Sequence, residues 1–149
     1  MSMLTAFRNT PFREKTAWVM AAILIAGAVF YFQMVAGASE AIGRTAPPVV
    51  GFVIAYVVVI VIASVIAMTA LGATSPREAE APADERERQV ADRAAHWAGY
   101  VLAVLLLGAL WHYSVNQDGH MLFHLGFLSL MVGQIAEYIF QIYLFRRGV

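Results

Sequence analysis

VVGFVIAYVVVIVIASVIAMTAL, residues Val49–Leu71, decides the fold class. Tyr56, Ser64 and Thr69 are its only hydroxyl-bearing side chains, and it has no charge. A run of ~20 such residues crosses the ~30 Å hydrocarbon core of a bilayer as a helix. Three other stretches have comparable length and character: Thr16–Val35, Ala94–Tyr113 and Met121–Phe145. No water reaches a peptide group at that depth, so each span must bond its own backbone as a helix. The expected fold is all-α, a four-helix transmembrane bundle forming a single membrane domain.

Composition agrees. Of 149 residues, 60% are hydrophobic and 13% charged, far from the balance of a soluble domain. That leaves no room for a catalytic module outside the membrane. The net charge is zero, so nothing points to nucleic acid. There is no cysteine, which excludes disulfides, thiolate metal sites and thioether-attached haem. The first apolar stretch is too long for the core of a signal peptide. Bulky Met34 and Val35 also make a poor cleavage region, so it reads as a retained span.

Positive charge sets the expected topology. Arg8, Arg13 and Lys15 precede the first span, Arg77, Arg86, Arg88 and Arg93 lie between the second and third, and Arg146 and Arg147 end the chain. Only Arg44 lies in another loop. Basic residues near the membrane stay cytoplasmic, so both termini are expected inside and the two short loops outside. Trp18 and Trp97 suit the inner interface, and Tyr31, Trp111 and Tyr113 the outer one.

Residues 72–83, with their glycine, serine and prolines, read as a flexible linker. No breaker follows Asp84, so Asp84–Tyr113 is expected as one helix. At ~1.5 Å per residue its first ten residues stand outside the hydrocarbon. Asp84, Glu85 and Glu87 favour the positive end of the helix dipole. Arg88 lies four residues from both Asp84 and Asp92, a spacing that suits ion pairs. The stub Asp84, Glu85, Arg86, Glu87 and Arg88 is either a solvated helix end or a surface for a partner protein.

The run Asp84-Glu85-Arg86-Glu87-Arg88 before the third span, and Tyr143-Leu144-Phe145-Arg146-Arg147-Gly148 after the fourth, resemble a family of small bacterial four-span membrane proteins of unknown function. The resemblance covers the second half of the chain. It implies a multi-pass protein of the bacterial inner membrane and carries over no catalytic residue.

Within the spans Glu137 stands out, ~12 Å in from Phe145. An ionisable group at that depth is costly and marks a candidate site. Gln134 and Gln141 share its helical face, and Ser64 and Tyr100 lie at matching depth as candidate partners. This polar stripe suits interhelical hydrogen bonds or, alternatively, proton or cation transfer. A second group is His112, His120 and His124 at the outer ends of the third and fourth spans, with Asp118 between them. It could hold zinc or copper, and less readily a haem using those two helices alone. No nucleophile–base pair or phosphate loop is present in a credible position, so an enzyme is not the expected reading and no cofactor is the expected state.

The sequence thus favours a non-enzymatic membrane protein that assembles with itself or with a membrane partner, as a regulatory or accessory subunit. A small proton- or cation-coupled transporter or channel using Glu137 is the alternative. A metal- or haem-binding redox protein using the histidines is the third reading.

Overall fold

The computed structural model describes residues 11–148, apart from the side chain of Glu78; Arg8, part of the charge asymmetry, lies outside that range. Five helices follow in order: α1 (Phe12–Ile42), α2 (Val50–Thr74), α3 (Pro76–Glu80), α4 (Glu85–Asn116) and α5 (Gly119–Arg147). All but α3 are long and apolar enough to cross a membrane. The described residues therefore form an all-helical bundle with four spans long and apolar enough to cross a membrane.

The helix ends have local causes. Pro47 and Pro48 hold the chain extended ahead of α2. Asp84 caps α4 through a capping box: its Oδ1 accepts from the Glu87 amide at 2.7 Å, and Glu87 Oε2 accepts from the Asp84 amide at 3.1 Å. Asp118 caps α5, its Oδ1 accepting from the His120 and Met121 amides at 3.0 and 3.1 Å. Gly43 ends α1 in the left-handed conformation, at a φ of 67°, where a glycine carries no Cβ penalty.

The helices outrun their expected bounds. α1 was expected over 16–35 and continues to Ile42, because backbone bonding carries on past the hydrocarbon until Gly43 turns. The linker expected over 72–83 is largely helical. α2 runs through Thr74, and Pro76 opens the single turn of α3 from the first-turn position that suits proline.

Packing runs in the order α2, α1, α5, α4. The most extensive contact is α4 on α5, followed by α1 on α5 and α1 on α2. Small residues permit these approaches. Gly133 on α5 faces Leu102 on α4, where an added Cβ would lie 3.2 Å from the leucine Cβ. Gly27 on α1 faces α2, where an added Cβ would lie 2.5 Å from the Ile60 Cδ1. Ala17 and Ala21 on α1 pack with Ile142 and Tyr138 on α5. Val90 and Ala94 on α4 pack with Leu144. No residue of α2 is buried, so this helix presents most of its circumference to its surroundings.

The stub of α4 is not a free-standing end. α5 continues beside it to Arg147, and Val90 and Ala94 are buried between the two helices.

Candidate functional site

Polar side chains gather in three places: the charged end, the opposite loop end, and one flank of α5.

At the charged end, two ion pairs tie α1 to its neighbours. Arg13 Nε lies 2.7 Å from Glu87 Oε2, the same carboxylate that closes the capping box of α4. Arg146 Nε lies 3.1 Å from Glu14 Oε1, and the Arg146 guanidinium stands 5.3 Å from the centre of the Trp18 ring. Glu14 is buried while Arg146 is largely exposed. Arg86 Nη2 donates to the Phe145 carbonyl at 3.4 Å, and Gln89 Nε2 donates to Glu85 at 3.2 Å. The stub residues, read as either a solvated helix end or a partner surface, are used largely within the chain: Asp84 and Glu87 in the cap, Glu87 also with Arg13, Arg86 with α5, and Glu85 with Gln89. Arg88 is exposed.

The loop end is organised around His124. Its Nε2 lies 2.9 Å from the Ala46 carbonyl. A carbonyl only accepts, so Nε2 carries the proton and donates. Nδ1 is then the acceptor in the neutral ring, and the Tyr31 hydroxyl donates to it at 3.1 Å. His124 is 3% exposed, so both bonds replace water that it cannot reach. The segment that carries Ala46 is held twice more. The Ala46 amide donates to Ser39 Oγ at 3.0 Å, and the Thr45 hydroxyl donates to Asp118 Oδ2 at 2.7 Å. The Thr45 hydroxyl, and after it the Met121 and His120 amides, hold the Asp118 carboxyl below the ordinary aspartate range. Tyr31, Tyr56 and Phe127 pack edge to face beneath the relay, with ring centres 4.9–5.9 Å apart. A cavity of about 140 Å3 opens beside it, walled by apolar residues such as Met34, Val35 and Phe52.

The three histidines weighed as a metal site do not converge among the described residues. His124 is consumed by Tyr31 and Ala46, His120 is exposed, and His112 has a buried Nδ1 without a hydrogen-bond partner. Among the described residues no three of histidine, aspartate or glutamate converge as a metal site. Shared helical spacing put His120 and His124 on adjoining turns, but it could not show that α1 and its loop would take both nitrogens of one of them.

On α5, Glu137 is half-buried and its Oε1 accepts from Gln141 Nε2 at 3.3 Å. Gln134 is exposed and forms the polar wall of a groove of about 180 Å3 between α1, α2 and α5. The other two residues expected beside Glu137 are engaged differently. Tyr100 is 62% exposed, with its ring edge-on to His96. The Ser64 hydroxyl is buried on α2 without a hydrogen-bond partner.

Sequence reasoning missed Glu14, Arg13 and Tyr31 as site residues. The alternation Arg13-Glu14 ahead of Trp18 signals pairing, since a buried acid beside a span needs a cation. Nothing along the chain signals which cation it finds.

No family model, curated protein or solved structure matches this chain.

Proposed function

We propose that this chain is a non-enzymatic integral membrane protein that assembles with itself or a membrane partner, as a regulatory or accessory subunit. One observation carries the reading. Gln134, Glu137 and Gln141 run along a partly open flank of α5, and one internal bond, Gln141 to Glu137, serves them. Amides and acids at hydrocarbon depth seek hydrogen-bond partners on other helices. The other polar groups described above, at the two ends of the bundle, are largely spent on holding this chain together.

Transport is the second reading, favoured by Glu137 itself. Among the described residues it has no ion pair, and it lies within a span. An acid without a cation at that depth could exchange a proton. Variants separate the two. Under assembly, Glu137→Gln keeps cross-linking to partners in native membranes, and Glu137→Leu weakens it by about 0.6–2 kcal/mol. Under transport, Glu137→Gln assembles normally and loses proton or cation flux in reconstituted vesicles. A leucine variant that matches the parent in both assays removes Glu137 from either role.

The charge asymmetry supports cytoplasmic termini, and the resemblance of the second half supports the bacterial inner membrane as the address. A reporter fused after Val149 is expected inside and one placed at Asp118 outside. The opposite result overturns the orientation.

A further inference from the structure

Arg146 and Arg147 stand three and four residues beyond Tyr143, so both rise over it on one exposed flank of α5. The Arg147 guanidinium lies 4.7 Å from the centre of the Tyr143 ring, and that of Arg146 lies 5.3 Å from the Trp18 ring on α1. Two cations are thus carried on two half-open aromatic rings at the charged end of the α1–α5 seam. Buried Glu14 fixes one of them. Its Oε1 accepts from Arg146 Nε at 3.1 Å and from the Trp18 indole N–H at 3.5 Å. Arg146 meets that carboxylate through Nε, and among the described residues its two Nη groups have no hydrogen-bond partner. Arg147 has none among those residues either, only its ring contact. Deeper in the span the same flank is apolar. Ile25 and Val29 follow Trp18 at seven and eleven residues, and Ile139 precedes Tyr143 by four; all three are exposed.

We infer that this flank binds an anionic phospholipid of the surrounding bilayer, with its headgroup phosphate on the Arg146 and Arg147 guanidiniums and an acyl chain along Ile25, Val29 and Ile139. A guanidinium fork matches the oxygens of a phosphate, and the charge-assisted bonds it makes are among the strong ones. Arg146 is already held by Glu14 and Trp18, so it has little side-chain freedom left to lose on binding. Glu14 offsets one of the two charges, and Arg147 keeps the flank cationic. The occupant is a lipid because the donors and the apolar wall are continuous along the helix axis. A free phosphate would use only the donors. A zwitterionic headgroup carries its own cation beside the phosphate, so an anionic one gains more from the arginines. The site goes beyond the assembly reading and uses another part of α5: Gln141, two residues before Tyr143, projects from the far side of the helix.

The full chain in mild detergent, titrated with phosphatidylglycerol or phosphatidylcholine and followed by native mass spectrometry, tests this. The parent should retain one phosphatidylglycerol at concentrations where phosphatidylcholine leaves it bare. Arg146→Gln combined with Arg147→Gln should weaken that binding roughly 5- to 30-fold. Arg147→Gln alone breaks no ion pair among the described residues and should still cost about 3- to 5-fold, so it decides the matter if the double variant does not fold. Arg88→Gln, exposed on α4, should bind as the parent does. Arg146→Lys with Arg147→Lys keeps both charges without the forks and should bind more weakly than the parent. Equal retention of the two lipids overturns the inference, as does an Arg147→Gln or double lysine variant that binds as the parent. Displacement of the lipid by inorganic phosphate makes this a site for a soluble anion and overturns the lipid as its occupant.

Discussion

The Tyr31 hydroxyl donates to His124 Nδ1 across 93 positions of sequence, at 3.1 Å and out of reach of water. The bond joins α1 to α5, and the opposite ring nitrogen continues it to the loop carbonyl of Ala46. Tyr31→Phe keeps the ring contacts and leaves Nδ1 unpaired, at an expected cost of about 1–3 kcal/mol. His124→Ala removes both bonds and opens a void, so it should cost more. Thermal unfolding in detergent, followed by tryptophan fluorescence, ranks the two. A Tyr31→Phe variant as stable as the parent would show that the relay contributes nothing.

Asp118 gives the loop end a dependence on pH. Its carboxyl titrates lower in the folded chain than in the unfolded one, so the unfolded state takes up the proton first as pH falls. Its contribution is therefore present above the unfolded-state pKa and is lost as pH drops through the folded-state value. Asp118→Asn should be less stable at neutral pH, and its deficit should shrink in acid. Thermal midpoints of both proteins from neutral pH into the acid range test this; a deficit that stays constant with pH refutes it.

The Glu14–Arg146 pair should show coupling. Glu14→Arg alone places a cation beside Arg146, and Arg146→Glu alone places an acid beside buried Glu14. Combining the two should restore part of each loss, with a coupling of about 1 kcal/mol because Arg146 is largely exposed. Strictly additive losses would mean that the pair is incidental.

Gly27 should control the seat of α2. Gly27→Ala needs the end of the Ile60 side chain to move and the Tyr56 ring, 3.0 Å from the added Cβ, to give slightly. Gly27→Leu overfills the crossing and should destabilise by about 1–3 kcal/mol. A disulfide engineered between α1 and α2 near this crossing should form in the parent background and fail in Gly27→Leu.

Four spans were legible because a bilayer leaves an apolar run of this length a single way to satisfy its backbone. Their ends were not, since the hydrogen-bond ladder of α1 continues through Ser39 and Glu40, residues that composition assigns to a loop. Side-chain pairing was less legible still. Arg146 meets Glu14 from 132 positions away, and Tyr31 meets His124 through a helix register that no local pattern encodes. Glu137 and Gln141 were legible as neighbours because their spacing is a property of one helix. Tyr100 was not, because equal depth in the bilayer does not fix which way a helix is rotated.

The order in which the helices are made adds a constraint of its own. The larger partner of α1 is α5, which is translated after the other described spans. Until Gly119–Arg147 is synthesised, Tyr31 has no imidazole and Glu14 no guanidinium. The nascent α1–α2 hairpin therefore waits in the membrane with both long-range bonds unmade, and Glu14 keeps only the Trp18 indole N–H, 3.5 Å away on its own helix.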